Sequence, residues 1–523
     1  MKRAFSQVIY LLAVVATWMQ AESALAFVTT PAPAFSERSL LFAASGYRNR
    51  TSGALTNVGG NGNYWSSAAN SQANAYNLNF NSGGVYPLNT NNRANGFSVR
   101  CVRALNKPGR FILTYSHSMQ LNRKELHKHV TNGYIDARCN ERNKTTQLEF
   151  EYDLERNINN LTTKLWHREW KPNPLVCFIA DHNREVFAPQ FPDRIVSHVL
   201  FNMTAPLFER TFIYDSYSCR LEKGTAFGIE RYVHHIRSCT DNYQNDAYAL
   251  YLDISGYFMS INKGILYNII CETLERYKYQ IYEGDKRWND VLDFNIIDYL
   301  IRSIIFRNPV ENCIVICNPH KWDNYPKHKS VFYAPMGTGL TIGDLTSQLF
   351  SNVYLNPFDH FVKRILLCRH YGRYVDDARI ISTDKSFLQD CIGNIDEYLT
   401  DNLKLKLHPA KTRIISTREN TSFLGAHIRP HRMYIANNTV ASFHRAIYKM
   451  EHWATSDEPT SVDEYYNALA RLNSYLGLMN HYKCFRILNE SFCESPLNDI
   501  FDFTNGYQKA TLKESVINQI QII

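Results

Sequence analysis

Several stretches after residue 106 carry apolar residues at intervals of three and four, a pattern that predicts amphipathic helices. These helical segments span 119–130, 193–203, 345–367, 385–402 and 442–453. Two shorter apolar runs, rich in β-branched and aromatic residues, instead favour strands: residues 248–254 and the flanks of Asp376-Asp377. Helices and strands that alternate in this way predict an α/β chain, and the last part, from about 437 to 523, is predicted to be mainly helical.

The composition changes sharply near residue 106. Residues 27–105 contain no Lys and a single acidic residue, Glu37, and residues 46–105 contain 13 Asn. Short strand-like fragments at 62–67, 75–80 and 96–103 lie between turn signals, so this segment is predicted to be an Asn-rich fragment of β type. A partly disordered linker is the alternative. Two unlike sequences are joined at residues 106–109, where Pro108 and Gly109 lie.

The first residues resemble a secretory signal. Lys2 and Arg3 precede an apolar run at 8–19, which is followed by Ala24-Leu25-Ala26. A basic start, a short apolar stretch and an Ala-x-Ala site are typical of a cleaved signal peptide, and the run is short for a membrane span. Residues 1–26 alone therefore predict export, and no stable association with a membrane is expected.

Charge and cysteine content set weaker limits. The net charge is +8 and the isoelectric point about 8.7, which permits a polyanionic partner without requiring one. The 12 Cys have no framework spacing and are expected to be reduced thiols of a cytosolic protein. Cys313 and Cys317, with His320 nearby, lack an evident fourth zinc ligand, so we expect core cysteines on a strand.

The strongest chemical signal is a group of three aspartates. Asp376 and Asp377 lie between the apolar pairs Tyr374-Val375 and Ile380-Ile381, which predicts a hairpin with acids at its turn. Asp253 ends a second apolar strand, where an unpaired carboxylate is unfavourable. A shared metal would offset both the repulsion and the burial, and hard oxygen ligands select Mg²⁺, with Mn²⁺ as a substitute. Two such ions support in-line phosphoryl transfer.

At these residues the chain resembles reverse transcriptases. Tyr374-Val375-Asp376-Asp377 is similar to their catalytic palm motif, and Asp253 matches the family's other metal-binding acid. The resemblance covers residues 107–523 and implies a right-handed polymerase with fingers and palm at 107–435 and a helical thumb at 436–523. It implies RNA-directed DNA synthesis at Asp253, Asp376 and Asp377, with a metal site that includes Ile254 and holds two Mg²⁺ ions.

The resemblance also assigns residues that contact the nucleotide. Arg220 and Lys223 match the fingers segment that clamps the incoming triphosphate, and Phe258 matches the aromatic that blocks a ribose 2′-hydroxyl. Lys411, after the catalytic hairpin, matches a lysine that protonates pyrophosphate, and residues 423–426 match the hairpin that grips the primer end. The partners implied are an RNA template, a DNA primer or cDNA, and deoxynucleoside triphosphates.

One departure indicates a narrower family. Most bacterial reverse transcriptases have Gln-Gly before the next helix and Ser-Pro on it, whereas this chain has Ile342-Gly343 and Ser347-Gln348. That pattern resembles the enzymes of bacterial diversity-generating retroelements, which miscopy template adenines and work with a small, basic, helical accessory protein. Gly343 is expected to let the backbone approach the base pair, and Ile342 offers no side-chain hydrogen bond.

The same family offers an explanation for the N-terminal segment. Residues 46–105 resemble the variable tail of the lectin-like proteins that such elements diversify. Asn codons begin with two adenines, so a translated template repeat would be rich in Asn. Residues 1–105 are then either an upstream translation from a misplaced start or part of a true fusion; we favour the first. A polymerase needs nucleotides and RNA, so we expect a cytoplasmic protein despite the signal-like start.

Two other functions remain as hypotheses. A group II intron or retron type polymerase would use the same three aspartates, but Ile342-Gly343 and Gln348 argue against it. A secreted lectin-like binding protein rests on residues 1–105 alone and leaves the aspartates unexplained.

Overall fold

The computed structural model describes residues 119–523 except 140–143, 181–183, 420, 457–460, 505 and 523. In the preceding part it describes residues 47–48, 51–52, 54–57, 62–69, 74–81 and 84–92. The signal-like segment 1–26, the junction 106–109 and the strand-like segment 96–103 lie outside the described residues. The chain divides into two compact units, residues 1–110 and 111–523.

The first unit contains antiparallel β-strands. Strands β1 (Tyr47–Arg48) and β2 (Leu55–Thr56) pair with each other, and β3 (Gly62–Ala69), β4 (Asn74–Asn81) and β5 (Gly84–Asn92) form a three-stranded sheet in chain order. The strands predicted at 62–67 and 75–80 are confirmed as parts of β3 and β4. Asn79 donates from Nδ2 to Oδ1 of Asn63 at 2.7 Å, and both side chains are buried. Asparagine thus occupies interior positions of this small sheet.

The second unit mixes helices and strands throughout, as the alternating pattern predicts. Its helices up to residue 398 are α1 (Arg123–Arg138), α2 (Thr145–Glu151), α3 (Leu154–Trp166), α4 (Phe191–Glu209), α5 (Thr225–Cys239), α6 (Tyr257–Ser260), α7 (Lys263–Tyr277), α8 (Trp288–Val291), α9 (Phe294–Ile305), α10 (Leu345–Arg364) and α11 (Lys385–Tyr398). Its strands up to the same point are β6 (Leu175–Ala180), β7 (Arg184–Ala188), β8 (Tyr248–Leu252), β9 (Ile281–Glu283), β10 (Lys286–Arg287), β11 (Cys313–Val315), β12 (His370–Tyr374) and β13 (Asp377–Ser382).

A four-stranded antiparallel sheet lies at the centre of this unit. Its order is β12-β13-β8-β14, where β14 is Arg413–Ser416. Four consecutive residues of β8 are buried, which explains why the sequence there is a continuous apolar run rather than an alternating one. Helices α4, α7 and α10 contribute to the same core, so they pack against the sheet and hold it in place.

Helix α10 begins at a defined point because of its cap. Asp344 accepts a hydrogen bond from the Thr346 amide at 3.0 Å and from the Thr346 hydroxyl at 2.8 Å, and its side chain is buried. An aspartate cap satisfies amide groups that a helix start leaves unpaired. The cap fixes the point at which residues 342–343 lead into the helix.

A second, smaller sheet combines β6, β7 and β11. Strand β6 pairs antiparallel with β7 and parallel with β11. The buried carboxylate of Glu185, in β7, accepts hydrogen bonds from Trp322 Nε1 at 2.7 Å, Ser330 Oγ at 2.7 Å and the Val331 amide at 2.6 Å. Three donors stabilise a buried carboxylate, and here they also attach the loop 318–333 to the sheet.

The last part of the chain has its own hydrophobic core. A three-stranded antiparallel sheet, β15 (Thr421–Phe423), β16 (Ala426–Arg429) and β17 (Arg432–Ile435), precedes it. Helices α12 (Asn437–Ala454), α13 (Val462–Met479), α14 (Phe485–Phe492) and α15 (Glu514–Ile522) follow, together with a hairpin of β18 (Phe501–Thr504) and β19 (Lys509–Leu512). The helical character is confirmed, but the hairpin was not predicted. None of the helices in the described residues is both long and apolar enough to cross a membrane.

Candidate active site

The paired aspartates lie on a tight hairpin, as predicted. Tyr374 pairs with Asp377 at the ends of β12 and β13, so Val375 and Asp376 form a two-residue turn. Asp377 is therefore the first residue of β13 rather than a turn residue. Val375 adopts a φ of 55°, a left-handed conformation that β-branched residues rarely take.

The register of the central sheet brings the third aspartate to the same place. Ala378 in β13 pairs with Leu252 in β8, and the two strands run antiparallel. Asp377 precedes Ala378 and Asp253 follows Leu252, so the two acids continue the same register and face each other. Residues that are 124 positions apart in sequence thus meet through strand pairing.

Electrostatics distinguish this group from ordinary surface acids. Burial, followed by the nearby carboxylates of Asp253 and Asp377, raises the pKa of Asp376 from 3.8 to about 6. Burial also raises the pKa of Asp377, although Arg379 acts in the opposite direction. Partly buried carboxylates that oppose each other's ionisation favour a cation between them. Their hard oxygen atoms fit a divalent ion such as Mg²⁺.

Two cations of the chain itself bind these carboxylates. Lys411 Nζ lies 2.9 Å from Asp253 Oδ2 and 3.0 Å from Oδ1. Arg379 forms an ion pair with Asp377, with Nη2 at 3.3 Å from Oδ2. Within the part of the chain that the structure describes, no three His, Cys, Asp or Glu side chains are arranged to hold a metal ion. The donors therefore fit a metal in chemistry, and a metal would have to compete with Lys411 for Asp253.

The backbone carbonyl of Ile254 is the group of this residue that could bind a metal. Its side chain is buried and apolar, so only its carbonyl could bind a metal. Ile254 lies opposite Leu407 in an antiparallel bridge, where the bonds run from His408 N to Asp253 O at 2.8 Å and from Ser255 N to Lys406 O at 2.9 Å. The bridge thus leaves the carbonyl of Ile254 out of its hydrogen bonds.

Phe258 and Ile342 belong to one apolar cluster, although 84 residues separate them in sequence. Both are partly buried against a small core that includes Phe187 and Met259. The Ile342 carbonyl accepts a hydrogen bond from the Phe187 amide at 2.8 Å. The structure thus brings the predicted ribose-contacting aromatic and the predicted fidelity residue together.

Gly343 is required by the protein's own packing. Its φ is 118°, and a Cβ atom there would lie 2.8 Å from Val186 Cγ1 and 3.1 Å from the Phe187 carbonyl oxygen. Contacts this short, and a φ in this range, exclude other residues without local rearrangement. The sequence analysis predicted a glycine here because the backbone would approach a base pair closely. In the structure, the backbone of Gly343 approaches strand β7 closely.

On helix α10, Ser347 and Gln348 differ in exposure. Ser347 is buried, whereas Gln348 is exposed on the helix surface. Gln348 is therefore able to reach a ligand, and Ser347 acts within the protein interior.

A sequence comparison decides the class of protein. Residues 184–428 match the profile of the family described as reverse transcriptase (RNA-dependent DNA polymerase), and the three aspartates lie within the match. These residues are similar to reverse transcriptases, and the match indicates the class of enzyme: an RNA-directed DNA polymerase, a nucleotidyltransferase. Residues 33–102 match a second family, a domain of unknown function (DUF8237).

Solved structures similar to this chain include telomerases from two Candida species. Apo telomerase from Candida tropicalis, truncated from its C-terminal domain, is 13% identical over 53% of this chain and 58% of that chain, with a TM-score of 0.34. Telomerase from Candida albicans in complex with a fragment of telomeric RNA is 11% identical over 65% of this chain and 59% of that chain, with a TM-score of 0.37. The match spans less than two thirds of each telomerase chain. Among curated proteins, none matches this chain.

Arg220 has a different environment from the one predicted. Its guanidinium binds Glu209 at 2.6–3.0 Å and donates to the carbonyls of Ile213 and Ser216 at 2.7 Å each. Its side chain is only 6% exposed. A guanidinium with these partners holds its own loop together. In this arrangement a phosphate contact would require these bonds to break, and the predicted contact of Arg220 with a triphosphate stays a prediction.

Lys223 is closer to the predicted role. Its ammonium donates to the Tyr214 carbonyl and lies 4.3 Å from the centroid of the Tyr214 ring. Burial, reinforced by the neighbouring Arg220, lowers the pKa of Lys223 to about 8. A lysine with a single neutral acceptor keeps donors for a phosphate, and its contact with a triphosphate stays a prediction.

Arg379 is a site residue that the sequence analysis missed. Its guanidinium pairs with Asp377, stacks on the Tyr251 ring with 3.9 Å to the centroid, and donates to the Ser422 carbonyl at 3.3 Å. Arg379 therefore joins the catalytic hairpin to strand β15 of the predicted primer-gripping hairpin. The sequence offered one indication of this role, because Arg379 is a basic residue two positions after Asp377.

The cysteine group does not form a metal centre in the described residues. Cys313 lies on β11, and Cys317 Sγ accepts a hydrogen bond from the Ile179 amide at 3.3 Å. His320 pairs with Asp323 at 3.0 Å.

Proposed function

We propose that this reverse transcriptase serves a diversity-generating retroelement, copying a template-repeat RNA into cDNA with errors opposite adenine. The observation that carries the proposal is Ile342-Gly343 at the turn before helix α10. Most bacterial reverse transcriptases, which the chain resembles, have a glutamine at this position, whereas the isoleucine side chain has no hydrogen-bonding group.

The geometry supports a role for Ile342 in the nucleotide pocket. Its main chain is fixed by the hydrogen bond to Phe187, and its side chain packs in the cluster that contains Phe258. Gly343 cannot accept a side chain without displacing β7. An apolar residue held rigidly next to the predicted ribose contact would select nucleotides by shape rather than by hydrogen bonds, and shape alone discriminates weakly.

Asp253, Asp376 and Asp377, with the Ile254 carbonyl, are the residues that would hold two Mg²⁺ ions. When bound, such ions supply activation of a primer 3′-hydroxyl and neutralisation of the leaving pyrophosphate. The protein's own contribution is to hold the three carboxylates together through strand register and burial. The side chain of Lys411 lies beside Asp253, and the resemblance assigns this lysine to the protonation of pyrophosphate.

The N-terminal segment supports the same proposal. Residues 46–105 contain 13 Asn, as a translated template repeat would. We propose that residues 1–105 derive from template and flanking DNA through an upstream start, and that the polymerase acts in the cytoplasm with a small basic accessory protein. A near-copy of the corresponding DNA elsewhere in the genome, differing only at adenines, would be the independent sign.

The test compares the wild type with Ile342→Gln on one RNA template, by sequencing the cDNA. We expect the variant to make fewer errors opposite adenine, with little change opposite the other bases. Ile365→Gln, at an exposed isoleucine next to the end of the same helix, is the matched control and should leave the error spectrum unchanged. An adenine error rate that is the same in all three proteins would contradict the proposed role.

A further inference from the structure

The turn that carries Asp376 is held in an unfavourable conformation. Val375 has a φ of 55°, and a β-branched side chain clashes with its own backbone in that region. Such a conformation persists only where the surrounding contacts determine it, and it is found preferentially at functional sites. The contacts around Val375 are therefore informative about how Asp376 is placed.

Two side chains, one from the loop before α5 and one from β12, bind the amide and the carbonyl of Val375. Its amide donates to Ser218 Oγ at 3.2 Å, and its carbonyl accepts from Arg373 Nη1 at 2.6 Å. A two-residue turn leaves these groups outside the strand ladder, so Ser218 and Arg373 take the place of backbone partners.

Ser218 is itself oriented by Asn352 of helix α10. The Ser218 hydroxyl donates to Asn352 Oδ1 at 3.0 Å, and Asn352 Nδ2 donates to the Ser218 carbonyl at 2.7 Å. Both side chains are 1% exposed. A hydroxyl has one proton. Because that proton goes to Asn352, a lone pair of Ser218 is left to accept the Val375 amide.

Arg373 is oriented by a buried carboxylate. Its Nε and Nη2 lie 2.8 and 2.7 Å from the two oxygens of Asp359, and both residues are almost completely buried. A two-point pair of this kind fixes the plane of the guanidinium. The third nitrogen, Nη1, then points at the Val375 carbonyl. Tyr371 adds a hydrogen bond to Asp359 at 2.6 Å.

We propose that Ser218, Asn352 and Arg373 are positioning residues that hold the Val375 turn in its left-handed form and so set the position of the Asp376 carboxylate for metal binding. They act through the backbone and do not touch substrate. This positioning role rests on the proposed polymerase activity but not on errors opposite adenine. The positioning role can therefore fail while the adenine errors are confirmed, and the reverse. Ser218 also lies two residues before Arg220, which links the catalytic turn to the loop that precedes α5.

The first experiment replaces Ser218 with alanine in the full chain. DNA synthesis on an RNA template is measured against deoxynucleotide and Mg²⁺ concentration. A displaced carboxylate should lower kcat by roughly ten- to a hundredfold, raise the Mg²⁺ concentration at half-maximal rate several-fold, and leave KM for the nucleotide within about twofold. The rise in melting temperature that Mg²⁺ causes in the absence of substrate should also be smaller than in the wild type. Ser197→Ala, at an equally buried serine of helix α4, should change none of these values.

The second experiment is a rescue. Glycine adopts a φ near 55° without strain, so Val375→Gly should remove the need for the contacts. We expect the double variant Ser218→Ala/Val375→Gly to have a higher kcat and a lower Mg²⁺ requirement than Ser218→Ala. A residue with a purely structural role would not be rescued by a glycine that adds no contact.

The pair Ser218→Thr and Ser218→Val separates the hydroxyl from packing, because the two side chains have the same shape. Thr should retain most of the activity and Val should lose it, even if both lower the melting temperature. The proposal is overturned if Ser218→Ala keeps wild-type kcat and Mg²⁺ dependence, if Val375→Gly gives no rescue, or if Thr and Val behave alike.

Discussion

Asp376→Asn should abolish DNA synthesis and, in the absence of metal, make the protein more stable. The reason lies in the electrostatics of the site. Burial, together with Asp253 and Asp377, raises the pKa of Asp376 to about 6. A carboxyl with a raised pKa is less stable as an anion in the folded protein than in the unfolded chain. Asparagine keeps the shape and removes the charge.

The size of the effect follows from the pKa. A rise from 3.8 to about 6 corresponds to about 3 kcal/mol, at about 1.4 kcal/mol per pH unit. Between these pH values the folded protein binds more protons than the unfolded chain, so the free energy of unfolding falls as the pH rises through the interval. Above pH 6 the full penalty is present in the wild type. The free energy of unfolding of Asp376→Asn should therefore exceed that of the wild type by up to about 3 kcal/mol at pH 7.5, and by little at pH 4.

The assay is denaturant unfolding of both proteins in EDTA at pH 4 and pH 7.5, followed by the same titration in Mg²⁺. Metal that binds only the folded state should stabilise the wild type, by about 2.7 kcal/mol at a concentration of 100 times Kd, and should stabilise the variant much less. Asp390→Asn, at an exposed position of helix α11, is the control and should behave as the wild type. The reasoning is refuted if Asp376→Asn is less stable than the wild type in EDTA at pH 7.5.

Three other changes test separate parts of the structure. Gly343→Ala places a Cβ atom 2.8 Å from strand β7, so it should lower the free energy of unfolding by about 1–3 kcal/mol and reduce synthesis; a variant as stable as the wild type would contradict the packing. Glu185→Ala leaves three donors without their acceptor and should cost about 3 kcal/mol, measured against the exposed Glu311→Ala; equal stability of the two would show that the loop 318–333 is held otherwise. Residues 107–523 expressed alone should melt cooperatively and copy RNA as well as the full chain does; loss of folding or of activity would make residues 1–105 an integral part of the enzyme.

The central hairpin could be predicted because its signal is local. Apolar β-prone residues on both sides of Asp376-Asp377 determine a strand, a turn and a strand. Asp253 was found for the same reason, as an acid at the end of a continuous apolar run. The register that brings Asp253 and Asp377 together needs the sheet order β12-β13-β8-β14, which the local pattern does not contain.

Two arginines have environments that depend on distant partners, which the local sequence does not show. Arg220 looked like a free cation, but Glu209 on helix α4 binds it. Arg379 looked like a flanking residue, but the aromatic ring of Tyr251 on β8 and the carbonyl of Ser422 on β15 place it in the site. The β18–β19 hairpin was missed because four-residue strands inside a helical region give a weak alternating signal.

Mg²⁺-dependent extension of a DNA primer on an RNA template, by the full chain and by Asp253→Asn, tests the central claim most directly. Asp253 lies opposite Asp377 in the sheet register and forms an ion pair with Lys411. Removal of its charge should therefore prevent metal binding while leaving the central sheet intact. The account predicts extension by the wild type and, with an unchanged melting profile, at least a hundredfold lower rate for the variant, on the order of the loss expected for a group that acts in the transition state. A wild type that fails to extend the primer with either Mg²⁺ or Mn²⁺, or a variant within tenfold of the wild type, would contradict it.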